Sequence, residues 1–161
     1  MLPNSIQKIN VLRDQCKSLV TTRAGISAGS AVIPLPGVDI AADIGLLLEM
    51  IPTINRKFGL TPDQIDLLDP QTKKIILVAI TSMGSGLIGK VITKQLILTV
   101  LKRVGIRVAT KSVVKYIPFL GSAIAASISF GAMKLVGNSH VDDCYEVAKS
   151  AILALEETAT T

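Results

Sequence analysis

Apolar residues in this sequence recur every three or four positions, and the runs stop at proline or glycine, a pattern met by a series of helices of limited length. Between Ser5 and Val20, Ile6, Ile9, Leu12, Cys16 and Leu19 fall at helical spacing, with Gln7, Lys8, Asp14 and Lys17 between them. An amphipathic helix is predicted there. Ala24 to Ile33 is small and uncharged, and Pro34-Leu35-Pro36-Gly37 then breaks the chain, because neither proline can continue a helix and glycine permits the turn. The next helix is predicted from Val38 to about Phe58, bent by Pro52 and stopped by Gly59.

Leu60-Thr61-Pro62-Asp63-Gln64-Ile65 carries every element of a helix start: Thr at the cap, Pro at the first helical position, Gln three residues after the cap, and Leu60 and Ile65 as a hydrophobic staple. Asp69-Pro70 repeats the start signal, and the apolar run Ile75 to Ile80 reads as a buried helix or a strand, with helix favoured by its context. Basic helices are predicted over Leu87 to Val104 and Ile106 to Tyr116, broken near Gly105. Pro118 and Gly121 turn the chain into a helix over Ser122 to Val136, which Gly137-Asn138 stops, and Ser139 to Glu157 supplies a last one. The sum is an all-α, single-domain bundle of about seven to nine helices over residues 1–161, a length that fits one domain.

One segment is echoed within the chain. Ile33-Pro34-Leu35-Pro36-Gly37-Val38-Asp39-Ile40-Ala41-Ala42-Asp43-Ile44 aligns without gaps to Ile117-Pro118-Phe119-Leu120-Gly121-Ser122-Ala123-Ile124-Ala125-Ala126-Ser127-Ile128, identical at seven of twelve positions and 84 residues apart. Both copies are a proline-glycine turn feeding an Ala/Ile-rich helix able to pack closely, so two related hairpins are expected, with Pro34, Pro36, Gly37, Pro118 and Gly121 as the packing residues. Asp39 sits where a carboxylate favours a helix N-terminus, whereas Asp43, inside an apolar stretch, is expected to be a buried polar contact between helices.

Charge is unevenly placed. No acidic residue occurs between Asp69 and Asp142, while ten lysines and arginines fall inside that interval. A solvated helical face, an anionic membrane surface and an acidic partner all fit such a run; a nucleic-acid partner is not expected. The core must be aliphatic, since Phe58, Phe119, Phe130, Tyr116 and Tyr145 are the only aromatic side chains.

Chemical motifs are thin. Gly84-Ser85-Gly86-Leu87-Ile88-Gly89-Lys90 matches the G-x-x-x-x-G-K of a phosphate-binding loop, but Val91 stands where a magnesium-holding hydroxyl is needed. The ordinary reading is that these glycines allow a tight helix crossing or a helix break. Cys16 and Cys144 are isolated and His140 is the sole histidine, so neither metal site, disulfide framework nor cofactor is expected. His140 and Cys144 share a helix face at i and i+4; a reactive pair is conceivable, but packing is the plainer role. Catalytic residues: none are expected. Tyr116 to Met133 is free of charge for 18 residues, the threshold length for a membrane span, though its proline and glycine shorten the usable helix. The N-terminus lacks the pattern of a secretory signal, which makes the cytoplasmic side the default.

Ala31 to Asp43, Phe58-Gly59-Leu60, and Ile117 to Gly131 together resemble the C-terminal helical domain of immunity-related, interferon-inducible GTPases, and a helical domain of uncharacterised bacterial membrane proteins is similar too. The resemblance spans about Ser5 to Ala154. It implies an innate-immunity type of module that packs beside a GTPase domain and takes part in membrane targeting and assembly, here either as a protein in itself or as the C-terminal domain of a longer GTPase-like chain. GTP hydrolysis does not carry over, because no phosphate loop with Ser or Thr, no D-x-x-G and no N-K-x-D occurs. The expectation is a peripheral, cytoplasmic membrane module contacting anionic lipid through Lys90, Lys94, Lys102, Arg103, Arg107, Lys111 and Lys115, each worth on the order of 1 kcal/mol near such a surface. The alternative is a soluble domain that docks on a GTPase domain or on a second copy.

Overall fold

The computed structural model describes residues 2–30, 38–109 and 121–159. It is all-helical, with no strand among the described residues: α1 (Ile6–Ser30), α2 (Val38–Phe58), α3 (Pro62–Asp66), α4 (Pro70–Met83), α5 (Lys94–Ala109) and α6 (Gly121–Ala159). The chain divides into two compact units, one of Met1–Lys17, Ile51–Val91 and Ser139–Thr161, the other of Ser18–Met50 and Ile92–Asn138.

In the first unit the element boundaries are set by local hydrogen bonds. Ser5 opens α1, its Oγ accepting from Lys8 N–H at 3.3 Å. At the end of α2, Gly59 takes φ 75°, with Gly59 N–H bonding Arg56 O at 3.2 Å and Leu60 N–H bonding Asn55 O at 2.8 Å. This paired pattern satisfies carbonyls that a helix end would leave bare. Thr61 and Gln64 then form the predicted capping box of α3, and Leu60 and Ile65 are both buried. Asp69 caps α4 by accepting from Gln71 and Thr72 N–H, and Gly84 at φ 64° ends the helix; the Thr72 side chain first, then the Thr72 and Gln71 amides, hold the Asp69 carboxyl below the usual range. The core of this unit is aliphatic around Phe58, with Ile9, Ile51, Ile54, Ile76, Ile88 and Val147 buried. Asp142 of α6 binds Arg13 Nη2 at 2.7 Å and Lys17 Nζ at 3.0 Å, Arg13 lies 4.7 Å over the Tyr145 ring, and Tyr145 Oη donates to Asn10 Oδ1 at 2.9 Å. These contacts tie α1 to α6, and the two cations keep the Asp142 carboxyl low against the opposing effect of its partial burial.

In the second unit Val20, Ala24, Leu47, Met50, Ile97, Met133 and Val136 are buried. Ser27 of α1 donates to Asp43 of α2, and Arg23 pairs with Glu49. Asp43 is therefore an interhelical polar contact, as expected, but half-buried and not buried.

Several boundaries differ from those read in the sequence, and together they lower the helix count from seven to nine to five long helices and one single turn among the described residues. α5 begins at Lys94, not Leu87, and continues through Gly105; α6 continues through Gly137-Asn138, the expected stop. At Gly137 the reason is visible: a Cβ there would lie 2.7 Å and 2.8 Å from the two Val20 methyls and 3.0 Å from Met50 Cε. Glycine is there to let side chains in, and the helix continues past it. The run Ile75 to Ile80 is helical but only partly buried. Six consecutive residues circle a helix through about 500°, so a one-sided core cannot take them all; Ile76 and Ala79 are buried, while Leu77 and Val78 are 47% and 57% exposed. The hairpin residues Pro34, Pro36, Gly37 and Pro118 lie outside the described residues, and Gly121 is the first residue of α6.

Candidate functional site

The basic stretch starts in the segment that joins α4 to the following helix. Gly84 to Val91 follows a helix, not a strand, and its glycines serve the fold. Gly84 is the left-handed cap of α4, while Gly89, at φ 67°, donates its N–H to Leu60 O at 3.2 Å and sits where a Cβ would be 3.1 Å from Ile65 Cδ1. Leu87 and Ile88 turn inward. Gly84 and Gly86 have open space where a Cβ would stand, so neither makes a tight crossing, and it is left-handed Gly84 that marks the helix break. Lys90 and Val91 project outward, Val91 with 75% exposure.

Thr93 opens α5, its Oγ1 accepting from Leu96 N–H at 3.3 Å. Lys94, Lys102 and Arg103 are exposed, while Ile97 is the buried member of the turn. At about 100° per residue the second and third cations stand about 80° and 180° round the helix from Lys94, so these charges fan over half the perimeter and form no single stripe. Arg107 lies on α5 with its side chain outside the described set, and Lys111 and Lys115 lie outside the described residues. Among the described residues no carboxylate pairs with Lys90, Lys94, Lys102 or Arg103; the ion pairs present are made by Arg13, Lys17, Arg23 and Lys73.

The His140 and Cys144 pair does meet, one turn apart on α6, with Nε2 and Sγ separated by 3.6 Å. Sequence reasoning missed the third member, Asn55 of α2, an uncharged polar residue that stands directly before Arg56 and Lys57 near the end of the helix. Its Oδ1 lies 3.0 Å from His140 Nε2 and 3.5 Å from Cys144 Sγ, and its Nδ2 donates to Leu87 O at 3.1 Å. With the amide nitrogen committed to a carbonyl, Oδ1 is the acceptor, so Nε2 carries the imidazole proton and buried Nδ1 makes no well-formed hydrogen bond. Burial pushes His140 down to about 4, opposed by a smaller upward influence of the Ile51 backbone. It drives the Cys144 thiol the other way, well above its usual value, with Asp143 and Cys16 adding to the shift. A neutral imidazole beside a protonated thiol is a poor nucleophilic pair; what the cluster does is fasten α2, the Leu87 backbone and α6 to one another. Cys16, also buried, is raised to about 11 despite the opposing charge of Lys57.

Beside α4 runs a groove of about 620 Å³, lined on one side by Lys74, Ile75, Val78 and Met83 and on the other by Ser150, Ala154 and Glu157 of α6. No group of three or more metal-ligating side chains occurs among the described residues, and no helix among them is long and apolar enough to cross a membrane. Compared with known protein families, curated proteins and solved structures, the chain matches none.

Proposed function

We propose that this chain is a non-catalytic helical module that associates peripherally with anionic membrane surfaces on the cytoplasmic side and assembles there. The observation that carries the reading is electrostatic: Lys90, Lys94, Lys102 and Arg103 are exposed in a stretch of seventy-odd residues that holds no acid, and among the described residues none of them is neutralised by an ion pair. Such charges are attracted to a negatively charged leaflet and need no single-face alignment to sum their attraction within a Debye length. The resemblance to the helical domain of immunity-related GTPases supports the same role, with the two proline-glycine hairpins packing inside one helical domain. Lys94→Glu, Lys102→Glu and Arg103→Glu together should abolish sedimentation with phosphatidylserine-containing vesicles while circular dichroism stays unchanged; undiminished binding would sink the electrostatic reading.

A second reading, a soluble domain that docks on a GTPase domain or on a second copy, is favoured by the open groove between α4 and α6. It predicts a salt-insensitive oligomer or complex with no affinity for vesicles, measurable by light scattering.

A further inference from the structure

The solvent side of α4 is less polar than its letters imply. Lys74, Leu77, Val78 and Thr81 follow one another at i, i+3, i+4 and i+7, and are all exposed. The hydroxyls on this side are turned inward: Thr81 Oγ1 donates to Leu77 O at 2.8 Å and Ser82 Oγ to Val78 O at 2.9 Å. Their methyl and methylene surfaces extend the patch made by Leu77 and Val78. The carboxylates nearest the start of the helix are already engaged, Asp66 with Lys73 at 2.6 Å and Asp69 with the backbone amides of the first turn. Among the described residues Lys74 pairs with no carboxylate and stands beside an apolar strip, Lys90 stands exposed in the segment that follows the helix, and Glu157, across the groove, is the one acid lining it.

An exposed aliphatic strip with a lysine beside it and its hydroxyls satisfied by its own backbone has the chemistry of a helix lying in a lipid interface, where ammonium groups reach the headgroups and apolar side chains enter the acyl boundary. We propose that the outward face of α4 is the apolar part of the membrane contact, inserting Leu77 and Val78 into an anionic lipid surface with Lys74 at the headgroup level. This rests on the peripheral-membrane reading above and adds to its long-range attraction a short-range component that salt does not screen.

The test uses the full chain with Val78→Cys or Asp63→Cys carrying a polarity-sensitive fluorophore; the native Cys16 and Cys144 are buried. With phosphatidylcholine vesicles containing phosphatidylserine, emission at position 78 should move to shorter wavelength while position 63 stays unchanged. Leu77→Ser with Val78→Ser, both on the surface, should weaken vesicle binding about ten-fold without loss of helicity. Vesicle binding with position 78 still in water and the double variant binding normally would overturn this assignment and leave the peripheral reading standing. No binding by the unmodified chain would overturn both. A shift at position 78 that grows with protein concentration in the absence of lipid would overturn the lipid assignment and give the face to a second copy.

Discussion

The stretch from Gly59 to Gly84 and the described residues 94–109 and 121–138 hold their helices by different means. In the first, every boundary is written locally: a left-handed glycine, a capping box, an Asp cap ahead of a proline, a second left-handed glycine. In the second, helices continue through Gly105 and Gly137, and Leu96, Leu98, Val100 and Leu101 of α5 are only half-buried. Proline with a cap therefore marks a boundary whatever surrounds it, whereas glycine marks one only if the chain turns left-handed there. Gly137 does not turn; it makes room for Val20 and Met50.

The contrast can be broken most severely at Asn55. Asn55→Ala would take the Leu87 carbonyl's Asn55 donor away and leave His140 Nε2–H facing only the weak Cys144 sulfur acceptor, at a cost of about 3 to 4 kcal/mol, seen as a lower urea midpoint. An outcome below about 1 kcal/mol would mean that the cluster does not fasten the first unit.

The same cluster predicts a pH dependence. Folding holds His140 neutral: the unfolded chain takes up a proton below 6.5, the folded chain only below about 4. Unfolding is therefore coupled to proton uptake in that window, and stability is full above 6.5 and falls as the pH drops toward about 4, by about 3 kcal/mol from this group. Asp143, raised by burial and by Asp142, acts in the opposite direction, so the diagnostic is the difference between the wild type and His140→Gln. The variant should lose the His140 slope in thermal melts between those pH values.

Two glycines of α6 sharpen the second half of the comparison. Gly137→Ala drives a methyl into stiff Val20 and should destabilise by about 2 kcal/mol, while Gly131→Ala, with open space around the new methyl, should stabilise by about 1 kcal/mol. Equal effects in denaturant titrations would remove the distinction between a packing glycine and a tolerated one. An effect as small as that of Gly131→Ala but of opposite sign is expected at Thr61→Ala, a loss of about 1 kcal/mol for one half of a capping box, read in the same titrations.

What could be read in advance follows the same division. Thr61-Pro62, Asp69-Pro70 and Gly59 announce their helix ends because the signal is a hydrogen bond to a neighbour a few residues away. The i, i+4 pairing of His140 with Cys144 was equally legible, but Asn55, which joins them, is 85 residues distant from His140, and only tertiary packing brings it in. The basic run from Lys90 to Arg103 could be seen as a charge excess, and its spread round α5 follows from 3.6 residues per turn; what the sequence did not show is which side of α4 faces water. An all-apolar run such as Ile75 to Ile80 has no polar residue to mark the outer face, so the exposure of Leu77 and Val78 had to come from the structure.

The most direct test of the membrane reading is co-sedimentation of the purified chain with neutral and with phosphatidylserine-containing vesicles over a series of salt concentrations. Binding that requires the anionic lipid and weakens steadily with salt is the predicted result. A chain that stays in the supernatant with both kinds of vesicle at low salt would contradict it.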